Sequence, residues 1–140
     1  MGVISNTGIV GRVVSVSGNF SLVKSVLSRN YKISIQFTKQ KTYGSLVWDN
    51  NNKEFSAKLE TIPRHLKTYV GDTIVTSAYN AVFPEGIVVG TVKKATISDH
   101  QTWYDISVDL KTDFKSLYYV YVVKDPNNPE RRSIEFKQAR

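Results

Sequence analysis

Three stretches of this chain alternate apolar and polar residues without a break, and that period of two constrains the fold more than any other feature. Tyr31, Ile33, Ile35 and Phe37 alternate with Lys32, Ser34, Gln36 and Thr38. Phe55, Ala57 and Leu59 alternate with Glu54, Ser56, Lys58 and Glu60, and Tyr104, Ile106, Val108 and Leu110 with Trp103, Asp105, Ser107 and Asp109. Successive side chains of a strand point to opposite faces, so each stretch predicts a strand with one face buried and one in water. No segment sustains a 3.6-residue apolar period between caps. The nearest, Pro63-Arg64-His65-Leu66-Lys67, predicts a connector with at most one helical turn. Turn-forming clusters lie between the apolar runs: Ser17-Gly18-Asn19, Asp49-Asn50-Asn51-Asn52, Val70-Gly71-Asp72, Pro84-Glu85-Gly86 and Ser98-Asp99-His100. Short strands at this spacing predict an all-β chain built as small barrels or a sandwich.

A weak internal repeat refines that expectation. Val3-Ile4-Ser5-Asn6, a short gap and Gly8-Ile9-Val10-Gly11-Arg12-Val13 parallel Ile74-Val75-Thr76-Ser77, a longer gap and Gly86-Ile87-Val88-Val89-Gly90-Thr91-Val92. Glycine inside an apolar strand suggests a bulge or a tight barrel corner. The repeat predicts two related small β-barrels, residues 2–62 and 63–123, joined near Ile62-Pro63-Arg64, where proline breaks the preceding strand. The 140-residue length accommodates one ordinary domain or two very small ones. Residues 124–140, polar and proline-rich from Asp125 to Arg132, read as a flexible tail.

Charge is distributed unevenly. The formal net charge is +7, and no acidic residue occurs from Met1 to Trp48, where Arg12, Lys24, Arg29, Lys32, Lys39 and Lys41 lie. Such a field attracts nucleic acid, anionic lipid or an acidic protein patch, or simply keeps the surface soluble. Without cysteine there is no disulfide framework and no thiolate zinc site. The longest apolar run, Tyr118-Tyr119-Val120-Tyr121-Val122-Val123, falls far short of the roughly 20 residues of a membrane-spanning helix. The start of the chain shows no signal-peptide pattern.

Catalytic constellations are missing from the pattern. Only His65 and His100 are available as imidazole bases, both beside turns, and no Gly-x-Ser-x-Gly elbow occurs. Asp99, His100 and Asp105 match no metal-binding spacing, and Asp105 and Asp109 sit where they keep the polar face of a strand soluble. Gly8-Ile9-Val10-Gly11 lacks both the spacing and the lysine of a phosphate-binding loop. Tyr31, Tyr43 and Trp48 beside Lys32, Lys39 and Lys41 admit an alternative, a small basic β-barrel that stacks single-stranded nucleic acid. Tyr31 counts against it, because it falls on the apolar face of its strand. The loop Ala78-Tyr79-Asn80-Ala81-Val82-Phe83-Pro84 is unusually apolar for a connection. Either the loop, with Tyr79, Val82 and Phe83, meets a partner, or Val82 and Phe83 fold back to plug a barrel end.

These segments resemble the rod shape-determining MreC family. Gly8-Ile9-Val10-Gly11-Arg12-Val13 and the following Phe20-Ser21-Leu22-Val23-Lys24-Ser25-Val26-Leu27 look like that family's Gly-x-Val-Gly-Arg-Val stretch and the strand after it, and Gly44-Ser45-Leu46-Val47-Trp48 like its next glycine-led strand. Most specific is Gly71-Asp72-Thr73-Ile74-Val75-Thr76-Ser77 followed by Phe83-Pro84-Glu85-Gly86-Ile87-Val88-Val89-Gly90-Thr91-Val92. Gly8, Gly11, Gly71, Asp72, Ser77, Pro84, Gly86 and Gly90 form this structural signature; Ala78 departs from it, where glycine is usual. The resemblance covers residues 2–123. It implies a periplasmic β-domain of two small barrels, distantly like the trypsin-type double barrel without its catalytic residues. The family's transmembrane helix, coiled coil and a strand-forming segment precede the region matched. Implied too are no cofactor or metal, and a scaffold of bacterial cell-wall elongation and rod shape. Its partners would be the elongation-specific penicillin-binding transpeptidase, MreD, MreB and further copies of itself. Nucleic acid is not among them, and membrane attachment would run only through the amino-terminal helix. The candidate contacts for partners or self-association are Tyr79, Val82, Phe83, Lys39 and Lys41.

Overall fold

The computed structural model describes residues 1–28, 31–39, 42–48, 56–60, 62, 68–77, 79, 82–97 and 105–124. They form ten strands: β1 (Gly2–Ile4), β2 (Ile9–Val16), β3 (Ser21–Ser25), β4 (Lys32–Phe37), β5 (Tyr43–Trp48), β6 (Ser56–Glu60), β7 (Thr73–Thr76), β8 (Val88–Thr96), β9 (Asp105–Leu110) and β10 (Tyr121–Val123). A 3-10 turn, Phe114–Ser116, precedes the last of them. The chain is all-β, as its alternation predicts.

The strands divide into a closed barrel, β4-β5-β6-β9-β8-β7, and a four-stranded sheet in the order β10-β1-β2-β3. The alternating stretches supply the barrel interior. Tyr31, Ile33, Ile35 and Phe37 are all buried. Ile33 lies opposite Leu46, Leu46 opposite Leu59 and Leu59 opposite Ile106, so one continuous apolar row crosses β4, β5, β6 and β9. All four of these side chains are buried. Cross-strand apolar pairs of this kind pin the register, since a one-residue slip would turn every one of them to water.

The division does not fall at Ile62. Strands from both sides of that residue close the same barrel, β4 pairing with β7 and β6 with β9. The sheet joins the beginning of the chain to β10 near its other end. Among the described residues one barrel is closed and the other unit is an open sheet. Residues 125–140 and 63–67 lie outside the described residues, and with them most of the expected tail and the predicted connector.

The internal repeat is present in the hydrogen-bond register. Between β1 and β2, Val3 faces Gly11 and Ile4 faces Ile9, which leaves Val10 as an extra residue; between β7 and β8, Ile74 faces Gly90 and Val75 faces Val88, which leaves Val89 extra. Further along, Val13 faces Val23 and Ser15 faces Leu22, just as Val92 faces Val108 and Lys94 faces Ser107. Val14 and Lys93 are therefore the extra residues at a second equivalent register shift. Ser5 N donates to Gly8 O as Thr76 N donates to Ile87 O. The fourth strand matches as well: β10 lies beside β1 as β4 lies beside β7. The sheet β10-β1-β2-β3 thus repeats four adjacent barrel strands, β4-β7-β8-β9.

Gly11 and Gly90 show why the repeat keeps glycine there. At Gly11 a Cβ would overlap the backbone carbonyl oxygen of Lys24, and at Gly90 that of Asp109. In both places the neighbouring strand crosses too closely for any side chain.

Sheet and barrel share one core. Ile9 and Val26 of the sheet side belong to the same buried cluster as Ile35, Ile74, Val89 and Phe83, with Ile4 and Val123 packed against it. Thr112, just after β9, is buried and its Oγ1 donates to the carbonyl of Ile9 at the start of β2.

Candidate functional site

The hairpin β2–β3 changes character along its length. Ile9, Val10 and Gly11 are buried, but beyond the register shift at Val14 the strand leaves the core. Val14 is 46% exposed, Val16 66%, Phe20 81% and Leu22 64%. The turn holding them is well made. Ser17 N donates to Phe20 O at 2.7 Å, and Ser17 Oγ accepts from Phe20 N at 3.2 Å. A firmly hydrogen-bonded hairpin end thus presents apolar side chains to water. Full burial of such a side chain is worth about 1.5–3 kcal/mol, and covering each of these partly exposed ones would gain a share of that. Leu22 lies opposite Ser15 and Val16 opposite Ser21, so Phe20 and Leu22 share one face of the ribbon and Val16 lies on the other. Neighbouring exposed side chains such as Phe20 and Leu22 mark a contact surface.

At the base of the same hairpin, Arg12 and Lys24 are cross-strand partners, two like charges directly opposite each other. Both sit over one aromatic ring: the Arg12 guanidinium carbon is 5.5 Å and the Lys24 ammonium 5.7 Å from the Tyr31 ring centre. Their attraction to the ring face opposes the repulsion expected of facing cations. Burial raises the Tyr31 phenol above its ordinary value of 10.0, while Arg12 pulls in the opposite direction.

The contact candidates read from the sequence are not brought together as one surface. Tyr79 is exposed and meets Tyr43 edge to face, ring centres 4.8 Å apart. Lys39 lies at the surface, with its ammonium 3.6 Å from the Asp72 carboxylate. Val82 is half-buried and packs against the core. Phe83 is no surface residue: it is buried, its ring lies where a Cβ on Gly2 would be, and it belongs to the shared core. The apolar loop folds back at this point, which places Phe83 among the packing residues. Lys41 lies outside the described residues, as do His65 and His100.

The signature residues build the turn between β7 and β8. Thr76 Oγ1 donates to Pro84 O at 2.6 Å and accepts from Ile87 N at 2.9 Å, and Gly86 N donates to Thr76 O at 3.0 Å. Ser77 Oγ accepts from Tyr79 N. Asp72 Oδ2 accepts from Tyr69 N at 3.0 Å, closing the turn that contains Gly71. These are structural bonds, and the sequence reading missed Thr76, their hub.

The arrangement also weighs the basic-barrel alternative. Stacking bases requires exposed aromatic faces beside free cations, but Tyr31 is buried and Lys32 pairs with Glu60 at 3.2 Å. Among the described residues no cluster of three His, Cys, Asp or Glu side chains is placed to hold a metal ion. No described helix is long and apolar enough to cross a membrane.

The residues of the hairpin tip escaped sequence reasoning because Phe20 and Leu22, two apart, carry the spacing of core residues. Only the turn Ser17-Gly18-Asn19 beside them signals that they lie at the end of a projecting ribbon.

Comparison with known proteins matches residues 1–124 to the family model "Rod shape-determining protein MreC, barrel core". The cell shape-determining protein MreC of Escherichia coli (strain K12) is 26% identical over 121 residues, which cover 86% of this chain and 32% of that protein. The chain therefore spans about a third of the length of this curated relative. The crystal structure of MreC from Pseudomonas aeruginosa aligns with a TM-score of 0.79 at 23% identity, over 88% of this chain and 78% of that one. A chain of the complex between penicillin-binding protein PBP2 and MreC from Helicobacter pylori aligns with a TM-score of 0.69 at 18% identity, over 85% and 73% respectively. At these identities the solved structures establish likeness of fold.

Proposed function

The chain belongs to the family of rod shape-determining MreC proteins, and from that premise we propose that it acts as a non-catalytic scaffold of bacterial cell-wall elongation, docking a penicillin-binding transpeptidase. The observation that carries this reading is the β2–β3 hairpin end, where Val14, Val16, Phe20 and Leu22 are all exposed. A scaffold acts through differential binding: a partner that fits one arrangement shifts the population toward it, and no bond is made or broken. On one face of the tip Phe20 and Leu22 stand side by side, an aromatic anchor beside an aliphatic group, which is the chemistry of the centre of a protein–protein interface.

A relative of known structure, MreC from Helicobacter pylori, occurs in complex with penicillin-binding protein PBP2, which supports the choice of partner. The same reading gives the intact protein a periplasmic location, tethered to the inner membrane by an amino-terminal helix. It also gives it association with MreD and MreB and with copies of itself.

The test is binding of this chain to the purified periplasmic domain of the elongation transpeptidase, with single-stranded DNA titrated in parallel at moderate salt. Saturable transpeptidase binding that is lost in Phe20→Ser/Leu22→Ser supports the reading. Binding of DNA alone replaces it with the basic-barrel alternative.

A further inference from the structure

A concave surface lies at the opposite end of β2 from the hairpin tip. It is a groove of about 400 Å3 between the β1–β2 turn and the segment from Asp113 to Tyr121. Strand β2 spans Ile9–Val16, so at about 3.3 Å per residue the two surfaces are separated by roughly 20 Å. We propose that this groove is a binding site for an uncharged polysaccharide strand, which would lay its sugar rings against Tyr118, Tyr119 and Tyr121.

The lining decides the class of ligand. Tyr118 is 89% exposed, Tyr119 84% and Tyr121 58%, three amphipathic rings at one groove. Asn6 and Thr7 contribute an amide and a hydroxyl, and Asp113 a carboxylate. A pyranose ring has one face of C–H bonds and a rim of hydroxyls. The face packs on an aromatic ring, and the rim exchanges hydrogen bonds with amide, hydroxyl and carboxylate groups. Although the chain carries a net charge of +7, none of the described residues that line the groove is Lys or Arg. Among these residues a phosphate-bearing polymer would meet a carboxylate and no cation. Among the described lining residues Leu117 is the one aliphatic side chain, so the groove offers flat aromatic faces more than aliphatic sockets. The volume falls within the roughly 300–1,000 Å3 range of small-molecule clefts.

The polar groups are held in place before any ligand arrives. Ser5 Oγ accepts from Thr7 N at 3.3 Å and Gly8 N at 3.2 Å, fixing the turn that carries Asn6 and Thr7. Asp113 Oδ1 accepts from Lys115 N at 3.2 Å, which orients its carboxylate at the head of the 3-10 turn. Preorganisation of this sort lowers the ordering cost of binding.

The experiment is a titration of the 15N-labelled chain with chitotetraose and cellotetraose, with an extended Val-Thr peptide and a heparin tetrasaccharide run beside them. Saccharide-dependent amide shifts at Asn6, Thr7, Tyr118 and Tyr119 are expected. Affinity should fall at least tenfold in Tyr118→Ala/Tyr119→Ala at unchanged melting temperature, because both rings are exposed. Should that variant lose its fold, Asn6→Ala, at another exposed position, gives the same reading by a smaller loss. Absence of shifts with both neutral sugars, shifts elsewhere on the chain, or affinity untouched by the variants overturns the proposal. So does a response at this groove to the peptide or to heparin alone.

Discussion

Thr112 Oγ1 donates a hydrogen bond to the carbonyl oxygen of Ile9, tying the segment after β9 to the first residue of β2 across 103 positions of sequence. The bond is buried, so removing the hydroxyl leaves the Ile9 carbonyl without this donor or any water to replace it. Thr112→Val, nearly the same in shape, should cost about 1–3 kcal/mol, measured as a lower urea midpoint at unchanged slope. Thr112→Ser keeps the donor and should recover much of the loss.

The equivalence of Gly11 and Gly90 is testable by matched substitution. Either alanine Cβ would run into a backbone carbonyl of the adjacent strand, which cannot swing aside as a side chain can. Overpacking typically costs about 1–3 kcal/mol and more where backbone must move. Gly11→Ala and Gly90→Ala should therefore both lower the melting temperature steeply. Gly18→Ala, where a Cβ meets nothing within 4 Å, should leave it nearly unchanged.

Ile33, Leu59 and Ile106 show how much of this fold is written in the chain. A period of two assigns each to a buried strand face, and all three lie in one row of the barrel. The glycine repeat likewise predicts two related units, and its residues occupy equivalent register positions. Alternation says which face is buried but not which strand lies alongside. The closure of β4 onto β7 across the expected boundary at Ile62 was therefore not legible. Phe83 and Phe20 show the same gap from opposite sides. The first is a loop residue with no period to mark it as core, and the second has core spacing but no layer above it. The groove at Tyr118 was hidden because its two walls are distant in sequence, one at Asn6 and one beyond Asp113.

Tyr31 predicts a pH dependence. Burial raises its phenol above the ordinary value of 10.0, against a smaller lowering by Arg12. As pH climbs past that value the unfolded chain gives up the proton while the folded chain keeps it, so the unfolded state binds fewer protons and stability falls. The contribution is fully present below pH 10 and is lost as pH rises through the folded value. Unfolding free energy should therefore drop more between pH 9 and 11 in the native chain than in Tyr31→Phe, which has no phenol to ionise. Equal slopes for the two would remove Tyr31 as the source.

Phe20 and Phe83 separate docking from packing. Phe83 is buried beneath β1, so Phe83→Ser should destabilise by about 3–5 kcal/mol, in the range of large aromatic deletions, and weaken every activity together. Phe20 is 81% exposed, and Phe20→Ser should change stability by less than about 0.5 kcal/mol. As an aromatic anchor at an interface centre it should cost about 2 kcal/mol or more in transpeptidase affinity, some thirtyfold in Kd. Calorimetric binding beside thermal unfolding reads both quantities for both variants. Lys39→Gln supplies the contrast on the charged side. Its ammonium faces the carboxylate of Asp72 but is itself 76% exposed, so it should shift stability by no more than about 1 kcal/mol and leave affinity at the hairpin unchanged. Loss of binding in Lys39→Gln with none in Phe20→Ser would move the docking surface from the hairpin tip to the Lys39–Asp72 side of the barrel.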